Sequence, residues 1–593
     1  MNRTHAMIFA ALVGMSCKSS NTPAVQTPPT TDGNAHAANT PATTETPAAP
    51  AVHMDPPASG PARDVHLPTI RRRRLANGLE LNAVEYHTLP VLHVRLTVRA
   101  GSAHDPAGAR PLPGLASLTG DMLKEGTRTR TSAQIAEAIE FVGGSLDVIT
   151  GPDATTLSVS VLKDHADTAL SLLAEVLSTP TFPQTELDKL KRRETDRLQR
   201  SQNDPGWLSR RAFAQTLYGP NHPYGRFDTT PEVLRAVTRN DIVAFHRARY
   251  VAGNMTLTVV GDLTAAQLDP ILDRTLGRVR GGTAPAITFP ATPAPTARQV
   301  VLVHRPNSPQ SVIRFGNTAL RRRDDDYVPL TVANHVLGGG ASSRLFMDLR
   351  ELRSLTYGAY ARVSDTVDLG TWGAAGQVRT PATGDAMYAL YRHLECITTA
   401  TPPDAEMAQT RSYLIDSFPL SVETPGNIAD LIAGLRLFGL PDNWYDNFRT
   451  RVQGVDAATA LTTAQHYIHP DRAAVVVVGD ADARVETGAP CAAARQLPAD
   501  ATLAQQIQAC AARPGAGEAP AASQRETVAL KEFLRAFGPV RVLNLDGTLR
   551  EELAATQLGD PPMHARCEEL SAPALQAISH VEPAGRAASA PGR

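Results

Sequence analysis

Pro113-Gly114-Leu115-Ala116-Ser117-Leu118-Thr119-Gly120-Asp121-Met122-Leu123-Lys124-Glu125-Gly126-Thr127 carries the strongest local signal in the chain. Bracketed by Gly-Leu-Ala and by Met-Leu-x-x-Gly-Thr, it reads as a helix on which Ser117 and Asp121 lie one turn apart on one face, with Gly120 between them. Side chains at that spacing can converge on one ligand. This face offers only a hydroxyl, a glycine and a carboxylate, with no imidazole or thiolate.

Outward from it the chain repeats itself. Tyr250 through Met255-Thr256-Leu257-Thr258-Val259-Val260-Gly261-Asp262 recurs as Tyr467 through Ala474-Val475-Val476-Val477-Val478-Gly479-Asp480, each run preceded by a helix. Such a repeat predicts two homologous α+β sandwich halves, each a mixed or antiparallel sheet with helices packed on it. The first half is assigned to 67–285. A Pro/Ala/Thr-rich linker follows at 286–298, and the second half spans 299–550. An Ala/Pro-rich insertion at about 481–527 precedes a helix over Val528 to Phe537 and a closing strand over Gly538 to Leu545. The tail, 551–593, is expected to be weakly structured at best.

Local signals fill in the first half. Asn77-Gly78 between Leu75 and Val84 marks a hairpin, and Val91 to Val98 alternates as a half-buried strand does. Thr131 or Ser132 opens a helix with a capping-box pattern. Ser145 to Thr150 and the β-branched run Thr155 to Leu162 flank a Gly-Pro-Asp turn. Ala166 to Leu177 and Pro183 to Gln202 have helical periodicity, whereas Leu217 to Gly225 is a loop full of breakers whose His222 reads as structural. The basic run Arg71 to Arg74 reads as a solvated edge.

The opening helix resembles the zinc helix of the pitrilysin/insulinase peptidases, the inverzincins, whose frame holds H-x-x-E-H, two His ligands with a Glu as general base. Here those positions are Ser117, Gly120 and Asp121. The family's third ligand is a Glu on a second helix, at a spacing that falls on Arg197, ahead of Asn203-Asp204-Pro205. The resemblance implies degenerate zinc-motif positions that are not ligands, and therefore no cofactor in this chain. It also implies that Asp121 and Arg197 lie within salt-bridge reach, and that the strand Thr155 to Leu162 is a sheet edge of the kind that receives peptide as an added strand, a plain core hairpin being the equal alternative.

A second landmark, Gly338-Gly339-Gly340 through Tyr360, fails as a phosphate loop because no Gly-Lys-Ser/Thr closes it. In the family this region carries an Arg and a Tyr seven residues apart that reach toward the zinc half. Arg350 and Tyr357 keep the spacing and the flanking Arg-Glu-x-Arg-x-Leu-x-Tyr pattern; Arg353 and Tyr360 keep the spacing alone. Some family members divide the labour between two chains, and this one resembles the mate that supplies Arg and Tyr in trans. The expectation is a zinc-free subunit whose catalytic contribution is Arg350 and Tyr357. Its partner would be a homologous subunit with intact H-x-x-E-H, holding the zinc, and its substrate a peptide. A peptide-binding or scaffold protein with an inactive peptidase fold is the alternative.

The 593 residues carry 58 basic and 59 acidic side chains, so no global field recruits nucleic acid or anionic membrane. Arg3 followed by an apolar run to Met15 reads as an export signal over 1–17, and Ser16-Cys17 resembles a bacterial lipoprotein cleavage site. Residues 18–66, rich in Pro, Thr and Ala, read as a disordered tether. The expected address is the periplasmic face of a bacterial membrane, held there only by a lipid anchor. Of the other cysteines, Cys396, Cys491, Cys510 and Cys567, none forms C-x-x-C. Cys491 and Cys510 are close enough in sequence to pair, though unpaired thiols fit equally.

Overall fold

The computed structural model describes residues 65–226, 229–488, 526–556 and 566–579, with parts of 497–509. The export segment, Cys17, nearly all of the tether, Cys491, Cys510 and most of the insertion lie outside the described residues.

The first sheet is built from β1 (Arg71–Arg74), β2 (Glu80–Glu85), β3 (Val91–Val98), β4 (Ser145–Thr150), β5 (Thr155–Leu162) and β6 (Met255–Gly261). The second uses β7 (Gln299–His304), β8 (Gln310–Thr318), β9 (Thr356–Val363), β10 (Thr371–Arg379) and β11 (Ala474–Gly479). A small ribbon, β12 (Arg484–Glu486) with β13 (Thr527–Ala529), closes the base of the insertion, and β14 (Val540–Leu543) and β15 (Leu549–Leu553) extend the second sheet. The strand orders β2-β6-β3-β5-β4 and β7-β11-β8-β10-β9 follow the same path. Strand β6 runs parallel to β2 and antiparallel to β3, as β11 does to β7 and β8. The repeated Val-rich runs thus hold equivalent central places, and the α+β two-half architecture expected from them is present.

Strand β11 is buried at every position because both its faces are covered. Val475 and Val477 face the core of their own half, while Val476 and Val478 pack with Leu208, Phe213 and Leu217. Those three residues come from the other half. Helices α1 (Leu115–Met122), α2 (Ser132–Glu140), α3 (Ala166–Ser178) and α4 (Gln184–Ser201) contribute to the first core, but α5 (Pro205–Tyr218) lies on the second sheet. In exchange, the helix Pro425–Phe438 of the second half sets Ile428, Ala429 and Ile432 against Val84 and Val260 of the first sheet. Both exchanged helices start with a cap followed by proline at the first turn, Asp204-Pro205 and Thr424-Pro425. The second helix stops at Gly439, whose φ of 69° suits a residue without Cβ. The alternate face of β3 is covered the same way, and Arg95 Nε donates to Asp430 at 2.6 Å.

Several expectations need correction. Strand β5 is flanked by β3 and β4, so the sheet edge is β4: the turn after Thr150 folds β5 back onto β3 and leaves β4 outside. The segment past 551 contains a helix, Ala572–Ser579, with Leu575 fully buried. Cys396, far away in sequence, is bonded to Cys567. The helix after the insertion is Leu530–Leu534, because residues 527–529 are taken up in β13. The expected capping box is present and is set by Thr131, the first of its two candidates, which accepts from the Gln134 N–H while the Gln134 side chain takes the Thr131 N–H. The solvated edge expected at Arg71 to Arg74 is present: β1 is the outermost strand of its sheet, and its arginines pair with Asp269, Asp273, Asp442 and Glu80. Among the described residues no helix is long and apolar enough to cross a membrane.

Candidate functional site

Helix α1 starts at a buried acid. Asp105 accepts from the backbone N–H of Gly114 at 2.6 Å and of Ala116 at 2.7 Å, one oxygen each, satisfying donors that a helix start leaves open. Burial pushes its carboxyl up to about 7, and the two N–H groups only partly oppose this. Sequence reading missed Asp105, since an acid nine residues ahead of the helix it caps has no local signature.

On the face of α1 that carries Ser117, Gly120 and Asp121, the surroundings are close. A Cβ on Gly120 would come 2.7 Å from Thr150 Oγ1, which is itself 3.0 Å from Thr155 Oγ1. Strands β4 and β5 therefore fill the place a glutamate stem would need. Burial pushes the Asp121 carboxyl up to about 6, with Glu194 adding to the rise and Arg197, Lys124 and Arg193 opposing it. The expected Asp121–Arg197 bridge is absent. Arg197, one turn along α4, turns back to Glu194 at 2.5 Å and stays largely in solvent. Helical i,i+3 geometry presents Glu194 to it directly, and the pair satisfies the acid that Asp121 would otherwise face alone. Zinc does not fit this set: a serine, a glycine, a single carboxyl that burial disfavours in its charged form and an outward arginine do not make a ligand cage with a base beside it.

Three other groups on the described residues, His304, Asp480 and Asp482, come within 4.8 Å of one another. Lys531 and Arg550 already neutralise Asp482, and the Ala481 N–H donates to Nδ1 of His304. These contacts make it an ion-pair knot at the strand ends.

Arg350 and Tyr357 lie in the second half, at its β9 edge. Arg350 sits on a π-helical turn, Met347–Leu352, half-exposed, with its guanidinium 4.8 Å above the Phe346 ring and 3.4 Å from Glu351. Tyr357 is 89% exposed. The other pair at the same spacing differs. Arg353 is buried and donates to Asp348 at 2.8 Å and to Asp385 at 3.1 Å, and Tyr360 packs on Phe346. Tyr360 is partly exposed too, but with Arg353 buried only the 350/357 pair of these two has both members open to a second molecule.

The breaker-rich loop at 217–225 turns out to clamp the halves together. The Tyr224 hydroxyl donates to Asp153 at 2.5 Å and accepts from the Asp368 N–H, and the Tyr218 hydroxyl donates to the Leu369 carbonyl. His222 is buried between Tyr218 and Phe289, with Nε2 3.7 Å from Asp368. Burial, the largest influence, lowers its pKa.

Fold and site together define a class, a two-half α+β scaffold whose α1 face offers no zinc-ligand cage. Residues 83–219 match the model for Insulinase (Peptidase family M16), and residues 236–414 match that for the Peptidase M16 inactive domain. The chain belongs to the M16 insulinase family. It is 24% identical over 394 residues to an uncharacterized zinc protease of Streptomyces coelicolor, covering 65% of this chain and 84% of the relative. It is likewise 24% identical over 373 residues to a Helicobacter pylori protein named non-peptidase homolog YmxG, covering 62% and 84%. Among solved structures, a peptidase M16 inactive domain from Pseudomonas fluorescens superposes with TM-score 0.65 at 25% identity, over 70% of this chain and 98% of that one. A Helicobacter pylori protease shares the fold, with TM-score 0.64 at 18% identity over 70% and 100%.

Proposed function

We propose that this chain is a zinc-free subunit of an exported heteromeric M16 peptidase, presenting Arg350 and Tyr357 to the active site of a homologous zinc-bearing partner. The observation that carries the reading is a contrast between two sites: the zinc positions are replaced and their space refilled, while the Arg/Tyr pair keeps its spacing and stands exposed at a sheet edge. Peptide hydrolysis builds negative charge on the scissile carbonyl oxygen, and a placed phenol can donate to it. The Arg350 guanidinium, a planar fork, suits substrate carbonyls or a carboxylate and so orients the peptide. Metal and attacking water belong to the partner.

The test is reconstitution with an intact H-x-x-E-H homologue. Tyr357→Phe should lower kcat on the order of 10²–10³ with assembly unchanged by gel filtration, and Arg350→Ala should also raise KM. The chain alone should bind no stoichiometric zinc by elemental analysis and cleave no peptide. A second reading, a peptide-binding or scaffold protein, draws support from the relative named a non-peptidase homolog; full activity of an assembled Tyr357→Phe complex would favour it. The address belongs to the same proposal. Cys17 of the signal segment takes lipid and holds the protein at the periplasmic face of a membrane, so labelled palmitate should enter the wild-type chain and not Cys17→Ser.

A further inference from the structure

The π-helical turn that carries Arg350 is supported from beneath by parts of the chain far away in sequence. Cys567 is disulfide-bonded to Cys396 on the helix Thr383–Thr399. Five residues on, the Ala572 N–H, at the start of the helix Ala572–Ser579, donates to Glu406 Oε1 at 2.9 Å. Glu406 in turn receives the buried Arg344 guanidinium, Nε at 2.9 Å and Nη2 at 2.5 Å. Arg344 opens the short helix Arg344–Phe346, which runs straight into Met347–Leu352. Leu570 and Leu575 of the tail, with Leu503 of the insertion, complete a buried apolar cluster around Cys396 against Met347 and Leu352. The tail helix packs directly on the π-helical turn. Inside the turn, Asp348 is fully buried between Arg353 and His393, the latter on the same helix as Cys396.

A π-helical turn carries an extra residue relative to an α-helix and is rarely stable by itself, so its geometry is set by what packs on it. Here a covalent bond, a backbone hydrogen bond to a buried ion pair and an apolar cluster all bear on its inner side, while Arg350 projects from its outer side. We infer that residues 567–579, fastened by Cys396–Cys567 and backed by Leu503, form a strap that positions Arg350. The strap touches no substrate; it fixes the turn from which the guanidinium reaches out. The link to function rests on the reading of Arg350 given above, whereas the mechanical claim does not.

Hydrogen exchange on the isolated full chain tests that claim. Cys567→Ser and, separately, Leu575→Ala, which keeps the disulfide, should each speed exchange of the amides at 347–352 about tenfold or more, with β3 and β5 unchanged. Unaltered protection at 347–352 in a folded variant would overturn the strap, even if 567–579 themselves loosened. A second readout uses the reconstituted complex. The strap variants should raise KM as Arg350→Ala does, and Cys567→Ser combined with Arg350→Ala should be no worse than Arg350→Ala alone. Faster exchange at 347–352 without any effect in the complex would keep the strap and remove the role assigned to Arg350.

Discussion

At the scale of single residues, the buried face of α1 can be probed through Gly120 and Asp121. Alanine in a helix interior is favoured over glycine by about 1 kcal/mol, yet a Cβ at 120 meets Thr150 Oγ1 at 2.7 Å, and overpacking of this sort costs about 1–3 kcal/mol. Gly120→Ala should therefore lower Tm in the wild-type chain and raise it in a Thr150→Ala background. Equal effects in both backgrounds would show that Thr150 is not the obstacle. For Asp121 the sign follows from linkage. Its folded carboxyl titrates at about 6, against 3.8 for the ordinary side chain. The folded state thus holds a proton that the unfolded state has released, and stability falls as pH rises through that window, with the full cost present above it. At 1.36 kcal/mol per unit the cost is at most roughly 3 kcal/mol. Asp121→Asn should be more stable than wild type at pH 8, with the gain gone by pH 4; a gain independent of pH would mean that something other than charge burial is at work. That no imidazole stands at 117, 120 or 121 is legible in sequence because it is a matter of residue identity. The turn of Arg197 to Glu194 was not, because both acids were within plausible reach and only the placement of α4 against α1 decides between them.

At the scale of elements, the repeat of Tyr250–Asp262 at Tyr467–Asp480 was enough to reveal two halves, and the structure extends the likeness to strand order. What sequence did not reveal is that each half lends a helix to the other's sheet. Periodicity shows that α5 has an apolar face but not which sheet receives it. The uninterrupted valines of β11 were the available clue, since a strand buried on both faces needs a second cover. Phe213 is the main anchor of that cover. Its ring lies over Gly316 and Gly373, where a Cβ at Gly316 would come 2.7 Å from it, and the Arg314 guanidinium is 5.4 Å from its centroid. Phe213→Ala should cost about 3–5 kcal/mol in chemical denaturation. The loss should register in the second half, as faster amide exchange in β11, although Phe213 belongs to the first. Loosening confined to α5 itself would mean that the sheet does not depend on its borrowed helix.

For the whole molecule, these exchanges mean that the linker at 286–298 connects two bodies already held together by other means. Helix α5 is seated on one sheet and the helix Pro425–Phe438 on the other. Tyr224 bridges Asp153 to Asp368, and Arg72 pairs with Asp442 across the same boundary. Separating the halves would expose Val260 and Ile428 on one contact and Val476 and Phe213 on the other, each now buried. Full burial of a side chain of that size is worth about 1.5–3 kcal/mol, so even these few residues outweigh the small entropic gain from freeing one connection. A protease site placed between residues 293 and 294, past Phe289 where the segment packs on His222 and Tyr224, should be cut without separating the halves. The nicked protein should elute as one particle and melt in one transition close to that of the intact chain, whereas two independently eluting halves would show that the linker, and not the helix exchange, holds the molecule together. If the nicked particle stays whole, wide separation of the halves is not an available route to Arg350 and Tyr357. A partner must then approach the β9 edge of an assembled scaffold, where the exposure of Tyr357 already leaves that side open.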